Sequence, residues 1–356
     1  VRGGVHQLLA ALSFGDAVSN EALVIQKLLR AQGYASEIFA EQADPRMRHL
    51  ARPLEDYASV SSPETVCLFH FAIGGAAGPM IARAPDRLVL VYHNITPAPF
   101  FLGFNNHLVG LCHNGRRELA RYRDRTALAL TPSEFNRREL EAMGFARTAV
   151  LPIILDLPSY AGPFSPVVES LFRDGKTNVL FVGRVAPNKG LDRLLRAFAL
   201  FQRGRPRSRL LLVGDDRLVR HYRERLEEMA GDLSARDVVF SGLVDQDELL
   251  AYYRSADLFL CLSEHEGFCV PLLEAMLFSV PVLALDRGGV ASTLDGAGLL
   301  FPDRPPEWIA AAMEEVAAGG AFREAILDSQ RSRVAALRGA QPGLLEALAG
   351  ELPGAR

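Results

Sequence analysis

A chain of 356 residues is long enough for two domains with separate cores, and its 49% hydrophobic and 23% charged content fits a soluble globular protein. The net charge of -3 gives no global pull toward nucleic acid or an anionic membrane. No apolar run reaches transmembrane length, and no leader of basic, apolar and small-residue parts is present. The four cysteines, Cys67, Cys112, Cys261 and Cys269, form no CxxC pair and lie mostly in apolar runs. That predicts reduced, packed thiols and a cytoplasmic protein. The first residue is Val1 rather than Met, so the natural N-terminus is expected upstream.

Short apolar runs alternate with amphipathic helical patterns along the whole chain, which predicts βα units and parallel sheets. Val5–Leu12 reads as the first strand, followed by the turn Ser13-Phe-Gly-Asp16. A helix is expected over 18–32, apolar at Ala22, Leu23, Ile25, Leu28 and Leu29 and ended by Gly33. Further strands are expected at 36–40, 66–71, 87–92, 127–130 and 148–151, with helices around Met47 and Ala76 and over 108–122 and 134–143. From 156 to 176 the pattern weakens, and Pro158, Gly162, Pro163, Pro166 and Gly175 mark a linker.

A second series follows, with strands at 178–183, 209–214, 237–241, 258–262, 281–285 and 298–301, and helices at 190–201, 218–230, 246–254 and 271–278. Both halves read as doubly wound α/β sheets, with a cleft between them as the default site. The expected division is 1–157, linker 158–176, 177–335, and a helical tail 336–356 packing back on the first domain. Positive charge gathers at Arg116, Arg117, Arg121, Arg123 and Arg125. Either a solvated helix C-terminus or a surface for anionic lipid or a phosphorylated acceptor accounts for it.

The stretch with the most chemistry is Ser263-Glu-His-Glu-Gly-Phe-Cys-Val-Pro-Leu-Leu-Glu-Ala-Met276. It runs from a buried strand through a polar turn into a helix opened by Pro271, which is where parallel-sheet proteins bind ligands. Glu266 and Glu274 lie there beside a helix N-terminus that favours an anion. Carboxylates next to an anion site suit one ligand carrying both hydroxyls and a phosphate. Upstream, Arg184 and Lys189 lie five apart across a strand–helix turn; by themselves they read as a pair of surface cations, and next to the two glutamates they suit a diphosphate. Asp245-Gln-Asp247 has the form of a metal-binding D-x-D, but it precedes a helix and reads as an N-cap. No GxGxxG follows either leading strand, which sets aside a plain dinucleotide-dependent dehydrogenase.

These residues carry a resemblance. Glu266 and Glu274 resemble the E-x7-E signature of retaining nucleotide-sugar glycosyltransferases of family 4, which have the GT-B fold: two doubly wound Rossmann-like domains facing each other across a cleft. Phe181-Val-Gly-Arg-Val-Ala-Pro-Asn-Lys-Gly190 resembles the donor-phosphate loop. The segments at 211–215, 240–247, 281–289 and 298–303 are also similar to the family's. The resemblance is strong over 178–303 and weaker over 1–155.

It implies a metal-independent hexosyltransferase, without cofactor, moving a hexose from GDP-mannose or a UDP-hexose to a hydroxyl of a saccharide or lipid-linked saccharide acceptor. Polysaccharide or O-antigen-type biosynthesis is the setting implied. By the resemblance, Arg184 and Lys189 stabilise the diphosphate, Glu266 holds the sugar's 3- and 4-hydroxyls, and Glu274 the ribose diol. His93 faces the sugar's 6-position. Gly15, Asp16, Gly183, Gly267, Phe268, Cys269 and Val270 line the donor, and main chain near Val244 holds the base. Asn94 and Thr96 begin the acceptor loop, and the Arg116–Arg125 region is the candidate for peripheral contact with the inner face of the plasma membrane.

Cys269 and Ser279 stand where the family usually has glycine, and Pro152-Ile-Ile154 replaces a polar crossover. The mechanism implied is front-face transfer with retention, because no nucleophile and acid/base pair of the kind retaining hydrolases use is assigned. Two other classes compete. An epimerase would isomerise free donor and a phosphorylase would need inorganic phosphate, whereas a non-catalytic sugar-nucleotide binder would neither transfer nor hydrolyse.

Overall fold

The computed structural model describes residues 2–339 and 343–353, which form two compact units. The first takes in residues 2–99, 106–156 and 343–353; the second takes in Phe100–Asn105 and Leu157–Gly339.

The first unit is a seven-stranded sheet of β1 (Val5–Leu12), β2 (Ile38–Ala43), β3 (Arg52–Pro53), β4 (Val66–Phe71), β5 (Arg87–Tyr92), β6 (Thr126–Thr131) and β7 (Thr148–Val150). The order is β3-β2-β1-β4-β5-β6-β7 and every ladder is parallel. Central strands are covered on both faces, so β4 is buried at every position and reads as an unbroken apolar run. Helices α1 (Ala17–Ala31), α2 (Ala77–Ile81), α3 (Asn106–Leu119) and α4 (Glu134–Ala142) connect them. The helix expected near Met47 is a short 3-10 turn, Arg48–Leu50. The two-residue strand β3, which the sequence does not announce, forms the edge beside it.

The second unit has a six-stranded parallel sheet of β8 (Thr177–Val182), β9 (Ser208–Val213), β10 (Val238–Gly242), β11 (Leu258–Cys261), β12 (Val282–Leu285) and β13 (Leu299–Phe301). Its order is β10-β9-β8-β11-β12-β13. The helices are α5 (Pro166–Phe172), α6 (Leu191–Gly204), α7 (Arg220–Asp232), α8 (Gln246–Ser255), α9 (Val270–Leu277), α10 (Val290–Leu294), α11 (Pro306–Ala318) and α12 (Ala321–Gly339). Asp245 is the N-cap of α8, and Glu248 accepts from its N–H at 3.0 Å, the reciprocal arm of a capping box.

Three sequence boundaries are corrected. The segment 158–176 is no plain linker: it belongs to the second unit and contains α5, capped by Ser165, which accepts from Val168 N at 3.4 Å. Ser followed by Pro166 at the first helical position is a helix start, which outweighs the punctuation by proline and glycine. The break placed at 336 falls inside α12. Finally, Phe100–Asn105, expected within the first domain, clusters with the second unit: the Asn105 amide donates to Leu218 O at 2.9 Å.

Of the expected tail, residues 340–342 and 354–356 lie outside the described residues. Between them α13 (Leu344–Leu348) sets Leu344 and Leu348 in the first unit's core with Val5, Ile25, Leu128 and Ile154. Glu351, almost fully buried, receives Arg87 and Arg147. Burial alone would raise its carboxyl pKa, but the two guanidiniums hold it below the usual range. No described helix is long and apolar enough to cross a membrane.

Candidate functional site

In each sheet the strand order reverses once, between β1 and β4 and between β8 and β11. Connections diverge at such a point, leaving a crevice at the carboxyl ends of the two strands where ligands bind. In the second unit the loops leaving it are 183–190 after β8 and 262–269 after β11. They carry Arg184, Lys189 and Glu266.

Lys189 and Glu266 meet there. The ammonium lies 2.8 and 2.9 Å from the two carboxylate oxygens, with the lysine side chain 21% and the glutamate 8% exposed. Burial would push the lysine pKa down. The Glu266 charge, with Cys269 and Cys261 behind it, outweighs burial and holds that pKa above its usual value. Main chain fixes both partners. Glu264 N donates to Asn188 O at 2.9 Å, tying the two loops together, and Gly289 N donates to Glu266 O at 2.8 Å. Gly190 and Gly288 permit this closeness. Each has positive φ, and a Cβ would meet Leu262 O at 2.2 Å in the first and Glu266 O at 2.3 Å in the second. Gly183 and Gly214 make a similar contact, in which a Cβ on Gly214 would meet Gly183 O at 2.3 Å.

Arg184, in the same loop as Lys189, is exposed. Hydrogen bonding to Arg217 is the main cause of the lowered pKa of Asp215, and the Arg184 charge adds to it. Gly267, Phe268, Cys269 and Val270 lead into α9, with Phe268 and Val270 buried. Val244 is half-buried in the loop after β10. Cys269 adopts φ 77° and ψ 69°, a left-handed conformation that costs an L-residue about 1–2 kcal/mol. Ser279, at φ 56°, does the same just past the end of α9. Both positions, where the resemblance led to an expectation of glycine, have the positive φ that glycine adopts without strain. The Cys269 sulfur lies 3.9 Å from that of Cys261. That contact pulls the Cys261 thiol down and pushes the Cys269 thiol up, so the two behave as a pair.

Glu274, read as a ribose ligand, is buried in the second turn of α9 with both oxygens engaged. Tyr253 Oη donates to Oε2 at 2.6 Å and Tyr160 Oη donates to Oε1 at 2.8 Å. Burial raises its pKa, and the two hydroxyls offset this in part. Sequence reasoning missed both tyrosines. Tyr253 has a signal, a hydroxyl-bearing residue on the buried face of α8; Tyr160 sits in the segment read as linker.

In the first unit, Gly15 (φ 70°) and Asp16 form the turn after β1, and Asp16 caps α1 by accepting from Ser19 N at 3.1 Å. His93 follows β5 with its ring turned inward, 3% exposed: Nε2 is 2.8 Å from His70 Nδ1, and Nδ1 is 3.6 Å from Glu21 Oε2. Asn94 takes φ 75°, and its amide donates to Asn136 Oδ1 at 2.8 Å. Thr96 is half-buried. Neither Glu21 nor His70 figures in the sequence reading. Each left a trace, a carboxylate on the apolar face of α1 and a histidine inside an apolar strand. Of the basic cluster, Arg116 bonds to Glu139 and to Ile95 O, and Arg125 bonds to Ile81 O and Ala84 O; Arg117, Arg121 and Arg123 are exposed.

Among the described residues two groups could offer three metal ligands within 4.8 Å of one another: Glu21, His70 and His93; and Cys261, Glu266 and Cys269. In the second group the Lys189 ammonium already sits on the carboxylate as its cation. In the first, the two histidines are hydrogen-bonded to each other.

Residues 167–333 match the family Glycosyl transferases group 1. A GDP-mannose-dependent alpha-mannosyltransferase of Mycobacterium tuberculosis is 36% identical over 192 residues, 52% of this chain and 46% of that one. The chain spans less than half the length of the first curated relatives it matches. Among solved structures, a sucrose-phosphate synthase from Thermosynechococcus elongatus superimposes with a TM-score of 0.73 at 19% identity, covering 97% of this chain and 96% of that one. Anabaena HepE in complex with UDP and glucose does so with a TM-score of 0.68 at 18% identity, covering 95% of each chain. Two Rossmann-like parallel-sheet units with these neighbours make the architecture GT-B, and the residues that match glycosyl transferases group 1 lie in the second unit.

Proposed function

We propose that the protein is a retaining, metal-independent glycosyltransferase of family 4 that moves a hexose from a nucleoside-diphosphate sugar to a hydroxyl of a saccharide or lipid-linked saccharide. The observation that carries this reading is the Lys189–Glu266 pair at the switch point of the second sheet. A cation and a carboxylate held in contact, both largely buried, present one charge for a phosphate and one for hydroxyls. A donor supplies both at once. Its diphosphate takes the ammonium, with Arg184 alongside, while its sugar hydroxyls take the carboxylate, so neither charge is left uncompensated on binding.

As the glycosidic bond breaks, charge accumulates on the leaving phosphate and its attraction to Lys189 and Arg184 grows, which makes the stabilisation specific to the transition state. The same phosphate oxygen accepts the acceptor's proton, on the face from which the acceptor attacks. Glu274, with its tyrosine hydroxyls, binds the ribose diol, main chain near Val244 the base, and Gly183, Gly267, Phe268, Cys269 and Val270 the sugar and phosphate surroundings. On the first unit, Gly15, Asp16 and His93 are proposed to serve the donor, and Asn94 and Thr96 the acceptor. Because Asn94 turns its amide inward, its contact would be through main chain. Arg117, Arg121 and Arg123 are the exposed residues proposed to meet anionic lipid at the inner face of a cytoplasmic membrane. GDP-mannose and UDP-hexoses are the donors favoured, since the names of the mycobacterial relative and the Anabaena structure mention these nucleotides.

The test incubates the protein with a panel of nucleotide sugars and saccharide acceptors, with and without EDTA. Release of nucleoside diphosphate with one donor, stimulated by acceptor, unchanged by chelator and giving an α-linked product from an α-linked donor, is expected. Donor isomerised without acceptor, a requirement for inorganic phosphate, or binding without turnover would each replace this reading by the corresponding alternative.

A further inference from the structure

A line of buried polar side chains runs from Gln7 in the first half of β1 through His70 near the end of β4 to His93 just after β5, and its proton positions follow from one fixed group. The Gln7 amide nitrogen donates to Ala22 O at 2.9 Å, and a carbonyl only accepts, so Gln7 Oε1 is the atom that faces His70. His70 Nε2, 2.9 Å from that oxygen, therefore carries a hydrogen. Burial and the neighbouring His93 push the His70 pKa well down, so the ring is neutral and its Nδ1 is an acceptor. The donor in the 2.8 Å contact between the rings is then His93 Nε2. In a neutral ring His93 Nδ1 is then a lone pair directed at Glu21 Oε2, 3.6 Å away. Both atoms are buried and neither has a hydrogen-bond partner. The second glutamate oxygen, Oε1, accepts from Ile154 N at 3.2 Å. Two acceptors facing each other in the interior need a proton between them.

We infer, resting on the role proposed for His93, that Glu21 is a positioning residue: its neutral carboxyl directs an Oε2 proton at the lone pair of His93 Nδ1, 3.6 Å away, at the end of the hydrogen-bonded run His93–His70–Gln7. The alternative placement, carboxylate with imidazolium, would put two charges in a fully buried site whose other partners are one backbone amide and one neutral ring. Environment agrees with the neutral form. Burial raises the Glu21 pKa to about 8 against a weaker opposing hydrogen bond from Ile154, and burial lowers that of His93 to about 4 against a weaker opposing charge on Asp16. The ionisable groups facing the pair are Asp16 from the turn after β1 and His70 from β4.

Glutamine mimics the protonated acid, since its oxygen can keep Ile154 N and its amide can donate to Nδ1; alanine cannot. Imidazole nitrogen NMR of the whole chain near pH 7 is expected to show His93 neutral, with hydrogen on Nε2 and a lone pair on Nδ1, in wild type and in Glu21→Gln alike. Thermal unfolding supplies a second readout. A folded pKa of about 8 for Glu21 lies above its ordinary 4.5, so the stabilising contribution is present at low pH and lost as pH rises toward 8. His93 acts oppositely between about 4 and 6.5, which makes 6.5 to 8 the clean window. Across it the wild-type Tm should fall by roughly 4–8 °C more than that of Glu21→Gln.

The catalytic part rests on the proposed role of His93. There Glu21→Ala should lower kcat at least roughly tenfold with little change in donor KM, and Glu21→Gln should rescue it. An imidazolium at His93 near pH 7, or equal pH dependence of Tm in wild type and Glu21→Gln, overturns the shared-proton chain. Intact NMR and Tm results with no kcat split leave the chain standing and remove His93 from the reaction.

Discussion

Lys189→Ala is expected to lower glycosyl transfer by about 10- to 150-fold, as loss of one charge-assisted contact of 1.5–3 kcal/mol would. It should also destabilise the second unit by about 2 kcal/mol, because the Glu266 carboxyl group, only 8% exposed, loses its cation. The stability cost is set below the full value for a buried pair because 21% of the lysine side chain meets solvent. Glu266→Ala should behave similarly. The informative chain is the double variant Lys189→Ala with Glu266→Ala. Removing both charges should restore most of the stability by chemical denaturation, since no uncompensated ion remains, while transfer stays at or below the level of either single variant. Divergence of the two readouts separates a site from a structural ion pair. If activity recovered together with stability, or if both single variants kept transfer within two-fold of wild type, the pair would be architectural.

Gly288→Ala is expected to be strongly damaging to the second unit, costing about 3 kcal/mol or more or preventing folding. Two causes add. The backbone sits at φ 58°, which strains an L-residue by about 1–2 kcal/mol, and the new Cβ would lie 2.3 Å from the Glu266 carbonyl oxygen. The neighbour is main chain tied down by Gly289 N, so it cannot swing aside as a side chain could. Gly296→Ala is the control: it has the same sign of φ, 83°, with nothing within 4 Å of the added Cβ, and should cost about 1 kcal/mol. Denaturation midpoints of the two variants measure the clash by difference. Equal effects would mean that the loop after β12 does not brace Glu266.

Much of the fold is legible in the sequence because buried parallel strands are apolar on both faces. Val66–Phe71 and Arg87–Tyr92 read as strands without help from alternation, and the structure has the same bounds. The short elements escape that logic. The edge strand Arg52–Pro53 buries too little to leave a pattern, and α5 hides among prolines and glycines that are usually punctuation. For the site, residue types and spacing single out Arg184, Lys189, Glu266 and Glu274, but not who holds whom. Lys189 and Glu266 are 77 positions apart and Tyr160 and Glu274 are 114 apart, and only the strand order brings such pairs into contact. The inward turn of His93 is equally tertiary, since it depends on a glutamate from α1 and a histidine from β4.

Calorimetric titration with nucleoside-diphosphate sugars, run on wild type and on Lys189→Ala, tests the central claim most directly. A donor with GDP or UDP should bind wild type, bind Lys189→Ala about tenfold or more weakly, and lose little affinity when EDTA is present. No heat of binding with any nucleotide or nucleotide sugar, or equal affinity for both proteins, would contradict a donor-diphosphate site at Lys189 and Glu266.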